Sequence, residues 1–253
     1  MADRSPLDYI FGGRVDQGLA LMREGLASKR TPSTITSLGI EYLWLKRYAT
    51  AWKHYQHAIE TYPYTMDGFY KEAGVAKWCL NEPEITIQQW QLGLRATCTE
   101  GAGGVSSALL LFAASILRPE VTTRKDAEQF LTTKVQSKSP FAKNWPNHLG
   151  KFMLGVIDGE ALREACIGVR ELDTDSRNWE TRFYEDILAF ADGDILQNKL
   201  RERMRKRGTI SHPETAERQR VLSIYGNQNS SSPGMRAFVG QASPNFQLVG
   251  CIR

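Results

Sequence analysis

The sequence lacks most of what marks an integral membrane protein, a secreted disulfide scaffold or a metalloenzyme. Its longest apolar run, ALLLFAASIL at 108–117, is about half the roughly 20 residues needed to cross a bilayer. The opening MADRSPLDYI has none of the basic-then-apolar order of a signal peptide, so a cytoplasmic chain with no membrane association is expected. Cysteine is scarce and scattered. Cys79, Cys98, Cys166 and Cys251 form no C-x-x-C pair, a pattern that predicts reduced thiols rather than a disulfide framework or a zinc site. Two-residue apolar alternation between turn signals is missing before the C-terminal tail, which argues against strands. A general basic excess is missing too. KLRERMRKR at 199–207 holds six basic residues and one acid, +5 in all, so with +4 overall the rest of the chain carries −1.

What is present is helical periodicity. Hydrophobic residues make up 42% of the 253 and charged residues 24%, ordinary values for a folded soluble chain, and apolar positions recur every three or four residues almost throughout. The spacing predicts an all-α protein of about 12–13 helices, joined by loops short enough to force antiparallel pairs. Helices are expected near 33–46, 49–62, 105–117, 123–136, 146–156, 158–170, 176–191, 194–207 and 212–225. The last segment, GNQNSSSPGMRAFVGQASPNFQLVGCIR, is rich in Gly, Ser, Asn and Pro and reads as a disordered tail or one that orders on a partner.

TSLGIEYLWLKRYATAWKHYQHAIETYP at 36–63 shows the pairing most clearly. Leu38 and Tyr42 lie one turn apart on one helix, and Ala51, Tyr55 and Ala58 line a face of the next. Gly39 and the alanines let the backbones approach, the aromatics fill the seam, and Pro63 ends the second helix. The order Leu38, Gly39, Tyr42, Ala51, Tyr55, Ala58, Pro63 resembles the tetratricopeptide repeat, a helix-turn-helix unit of 34 residues with a small-aromatic-small signature and a closing proline. Residues 32–65 match it, departing at Ile35, where the family often has Trp. The next unit repeats the logic with Tyr70, Ala73, Gly74 and Trp78, then Ile87, Trp90 and Gly93, with Pro83 at a helix start.

The resemblance implies an α-solenoid of antiparallel hairpins. Residues 1–31 would be a degenerate capping hairpin, 32–99 two tetratricopeptide-like repeats, 100–226 divergent hairpins continuing the solenoid, and 227–253 a flexible tail. The segments AGVAKW, AGGV, LLLFAA and NWPNHLGKFMLG together resemble a wider group of bacterial tetratricopeptide-like proteins, some of which act as immunity partners of secreted toxins. Family geometry places Thr36, Ile40, Leu43, Trp44, Lys71, Val75 and Trp78 near a concave groove, with Trp44 and Lys71 expected to be the exposed members that touch a partner.

Catalytic constellations are not legible. His54 and His57 are three apart on one helix, a spacing that suits a metal, but no local ligand completes the set, and both read as exposed or groove-lining. Cys98 beside Glu100 and Cys166 beside Glu164 lack the histidine that a nucleophile wants. EGAGGVSS at 100–107 lacks the Lys-Ser or Lys-Thr of a P-loop and reads as a turn. Glu82, Glu84, Asp192 and Asp194 fit helix starts. The sequence therefore predicts no enzyme, no cofactor and no metal. It predicts a module that binds a protein partner in its groove, in sharper form a toxin domain neutralised by an immunity protein. A net charge of +4 gives little steering toward a basic nuclease. The alternative is an adaptor for nucleic acid or a ribonucleoprotein through Lys199, Arg201, Arg203, Arg205, Lys206 and Arg207. Nucleic acid is disfavoured because no aromatic interleaves the run.

Overall fold

The computed structural model describes residues 5–97, 104–137, 145–167 and 171–193, with Lys199 and Glu202. Among them the chain is all-α. Eleven helices follow in order: α1 Pro6–Phe11, α2 Val15–Ser28, α3 Pro32–Trp44, α4 Tyr48–Thr61, α5 Asp67–Cys79, α6 Pro83–Gly93, α7 Val105–Leu117, α8 Arg124–Val135, α9 Trp145–Met153, α10 Gly159–Ala165 and α11 Glu171–Ala191. No strand occurs among the described residues. The helix expected near 212–225, most of that near 194–207 and the tail lie outside them.

Helix starts follow from local chemistry. Ser5 accepts from the Asp8 amide while Asp8 accepts from the Ser5 amide, and Pro6 occupies the first turn of α1. Thr31 and Thr34 make the same reciprocal cap on α3, again with Pro in the first turn. Each such cap satisfies backbone donors that the helix cannot, typically contributing about 1 kcal/mol. Pro83 opens α6 as the sequence predicts, and Thr123 and Asp158 cap α8 and α10. Two C-terminal helices are shorter than their periodicity predicts, whereas α11 begins five residues earlier than expected, at Glu171. α9 stops at Met153, two residues before Gly155 with φ +68°, and α10 spans seven residues.

Each helix from α1 to α8 packs chiefly on its neighbours in sequence, and α5 also touches α3 and α7. The seams are set by glycine. A Cβ on Gly39 would lie 2.3 Å from Cζ of Tyr55, and one on Gly74 would lie 2.3 Å from Nε1 of Trp90. Both aromatic side chains are fully buried and reach across to a backbone carbonyl of the facing helix. Tyr55 Oη donates to Thr36 O at 3.2 Å, and Trp90 Nε1 donates to Lys71 O at 3.0 Å. The second set stands 35 positions after the first at every member: 36 to 71, 39 to 74, 55 to 90. Beyond α8 the pattern changes, because α11 packs on α7 and α9. Two apolar clusters result, one centred on α3 to α6 and one on α7 to α11.

Candidate functional site

α5 is the helix on which the site is built. Flanked by α4 and α6 and touched by α3 and α7, it buries all thirteen of its residues. Tyr70 and Gly74 serve the seam with α6: Gly74 faces Trp90, and a Cβ on Gly93 would meet the Cβ of Tyr70 at 3.0 Å. Trp78 turns the same way, its ring stacked on Trp90 with centroids 5.9 Å apart. Lys71, Val75 and Cys79 follow one another at four-residue intervals, so they form a single stripe along the helix. The burial of that stripe is its unusual property. Lys71 is 4% exposed, Val75 0% and Cys79 7%.

Charge is buried on α3 and α5. Glu41 on α3 and Asp67 and Glu72 on α5 are each almost inaccessible, and Lys71 Nζ lies 3.5 Å from Glu72 Oε1. Removing an ion from water is costly unless partners replace the solvent, and Glu41, Asp67, Lys71 and Glu72 each have a further polar or electrostatic partner. The second lysine of α5 is satisfied differently. Lys77 Nζ lies 2.6 Å from Glu82 and 4.6 Å from the ring centroid of Trp52, which combines an ion pair with a cation–π contact.

The groove residues predicted from sequence fall together on α3 and α5, but not as an open surface. Ile40, Leu43, Lys71, Val75 and Trp78 are buried, and Thr36 and Trp44 are half-buried, Trp44 packing against the second apolar cluster. The expectation that Lys71 is exposed is corrected. Helices α3, α4, α6 and α7 all pack on α5, which a pattern built on a two-helix unit does not register. Among the predicted basic residues, Lys199 is exposed, whereas Arg201, Arg203, Arg205, Lys206 and Arg207 lie outside the described residues.

The remaining candidates resolve into structural roles. His54 is half-buried, with Nε2 2.8 Å from the Ile35 carbonyl and its ring edge-on to Tyr42 and Tyr55. Burial lowers its pKa, with smaller contributions from Arg30 and His57, against the raising effect of the Ile35 hydrogen bond. The neutral imidazole therefore donates from Nε2 and tightens the α3–α4 seam. His57 is exposed, so the two histidines do not share one environment. Cys166 is a buried free thiol 3.2 Å from Thr181 Oγ1, and burial raises its pKa. Burial thus favours the protonated thiol over the nucleophilic thiolate. Gly104, the last glycine of EGAGG, takes φ +80° and serves as N-cap of α7. Glu100 and Cys98 lie outside the described residues.

Cys79 departs most from expectation, because it is disulfide-bonded. The reading of all four cysteines as reduced thiols is corrected there. Separation along the chain does not measure separation in the fold, and widely spaced cysteines can meet. Nothing in the local sequence around Cys79 signals a disulfide. The burial of the acids Glu41, Asp67 and Glu72 had no local signal either. The chain matches no protein-family model, no curated protein and no solved structure. No group of three His, Cys, Asp or Glu side chains suited to a metal occurs among the described residues, and no helix among them is long and apolar enough to cross a membrane.

Proposed function

We propose that this chain is a non-catalytic, tetratricopeptide-like α-solenoid module of the cytoplasm that binds a protein partner on the face formed by α3 and α5. One observation carries this reading: the seam of Thr36, Gly39 and Tyr55 recurs 35 positions later as Lys71, Gly74 and Trp90, as stacked repeats would have it. Stacked helical hairpins present an extended surface that suits a protein or peptide segment. The seam repeated at a 35-residue interval supports the repeat reading, and Thr36 and Trp44 at the margin remain half-exposed to a partner. The sharper form is an immunity protein whose partner is a toxin domain.

The test is affinity capture from the native source by the wild-type chain and by a Thr36→Glu, Trp44→Ala variant whose helical content and melting are checked in parallel. A partner retained by the wild type and lost by a folded variant supports the face. Retention by both removes it. The immunity form requires in addition that the captured partner arrest growth when produced without this chain.

A further inference from the structure

Several arginines of the surface meet a carboxylate: Arg47 has Asp16, Arg118 has Glu120 and Arg124 has Glu128. The cations around His54 do not. Arg30 and His57 are exposed, and among the described residues neither side chain forms an ion pair or a hydrogen bond. Both lie close enough to His54 to oppose its protonation, and no carboxylate acts on that ring to balance them.

The ring of His54 is held from one edge. Nε2 lies 2.8 Å from the Ile35 carbonyl, near the start of α3, and Tyr42 and Tyr55 meet the ring with centroids 5.8 Å and 5.7 Å away. Nδ1 makes no hydrogen bond, yet it is not one of the buried polar atoms without a partner, so it is open to solvent. His57 stands one turn farther along the same face of α4. Arg30 immediately precedes Thr31, the N-cap of α3, where the positive end of the helix dipole adds to its charge. From α2, Arg23 Nε donates to Tyr42 Oη at 2.9 Å, and its guanidinium lies 5.7 Å from the ring that His54 also touches. Besides Asp16, the exposed carboxylates of α2 and α4 are Glu24 and Glu60, and neither forms an ion pair among the described residues.

We propose that Arg30, His57 and Nδ1 of His54 form a binding site for a tetrahedral oxyanion of the phosphate class, with Arg23 as an outer cation. Guanidinium and imidazolium groups hold such an anion through charge-assisted hydrogen bonds, which are stronger than neutral ones. The state of His54 sets the chemistry. While Nε2–H donates to Ile35 O, the neutral ring offers only a lone pair at Nδ1, and an oxyanion needs a donor there. Binding therefore takes up one proton from solvent at Nδ1, after which Nε2–H still serves Ile35 O and Nδ1–H serves the anion. Anion and proton then favour each other's binding by linkage. The same oxyanion is carried by free phosphate and by a phosphorylated side chain of a peptide.

The test follows the histidine ring signals of the full chain by NMR, the chain having four histidines. His54→Asn and His57→Gln assign two of them. The probe is sulfate, a tetrahedral dianion that does not titrate near neutral pH, compared with chloride at equal ionic strength. The titration midpoint of His54 is expected to rise in sulfate by about one pH unit, the effect of one opposite charge nearby, with the His57 signals moving alongside. That rise should fall toward zero in Arg30→Gln, an exposed and unpaired position, and persist in Lys29→Gln, the exposed cation beside it. Equal midpoints in the two salts, a shift shared by all four histidines, or an undiminished rise in Arg30→Gln would each overturn the site. An equal loss in Lys29→Gln would overturn it too, because diffuse charge would then explain the response. Inorganic phosphate and a phosphoserine peptide are then compared: the one that moves the His54 signals at lower concentration identifies the source, and a response to neither overturns the assignment.

Discussion

Tyr55 stands where Gly39 would carry a side chain, with its Cζ 2.3 Å from that Cβ position and its hydroxyl donating to Thr36 O. Helix α4 can approach α3 this closely only because residue 39 has no Cβ. The same substitution of space holds 35 positions later between Trp90 and Gly74.

Gly39→Ala forces the buried ring of Tyr55 to shift, so its intrinsic helix advantage is outweighed by overpacking. A loss of about 1–3 kcal/mol is expected, read as a lower urea midpoint. Gly25→Ala, on α2 where no atom lies within 4 Å of the added carbon, should instead gain about 0.5–1 kcal/mol from helix propensity. Equal shifts in the two variants would contradict the seam.

Trp90→Phe removes the donor to Lys71 O, leaves a buried carbonyl without that hydrogen bond and opens space beside Gly74. About 1–3 kcal/mol should be lost from the polar contribution alone. Tyr55→Phe removes only a hydroxyl from the equivalent position, keeps the ring against Gly39, and should cost less. Thermal melts of the two variants, run together, test this order.

His54 should make stability fall in mild acid. Its folded pKa lies below the ordinary 6.5, first because burial disfavours the charged ring. The unfolded chain therefore binds its proton at a higher pH than the folded chain does. The contribution is complete above about pH 6.5 and declines as pH falls below that value toward the folded pKa. Urea midpoints at pH 7.5 and 5.5 should differ more in the wild type than in His54→Asn. An equal difference would place the effect elsewhere.

Cys166 should react slowly with iodoacetamide in the folded chain. Burial keeps its pKa above the ordinary thiol value, and its Sγ lies 3.2 Å from Thr181 Oγ1. Labelling at pH 8 should accelerate to the rate of a free thiol once urea unfolds the chain. Fast labelling under native conditions would mean that the α10–α11 contact opens readily.

Much of the fold was legible because its signals are local. Pro32 and Pro83 lie in first turns, Thr31 and Ser5 cap, and the small residues at 39, 51, 58 and 74 mark where backbones meet. The C-terminal half was less so. Periodicity in NWPNHLGKFMLG continues past Met153, but Gly155 at φ +68° turns the chain, and α11 packs on α7 and α9 rather than following the order of the hairpins.

By itself the sequence determined that this chain is all-helical and where its closest helix seams lie, because side-chain size and periodicity act over one or two turns. Only the tertiary structure decided what becomes of the outward stripe of α5. Lys71 and Val75 read as groove residues because a single hairpin leaves them uncovered. They end buried, as do Glu41, Asp67 and Glu72, and Cys79 at the next step of the stripe is in a disulfide. Burial depends on what arrives from distant parts of the chain, and no local pattern records that arrival.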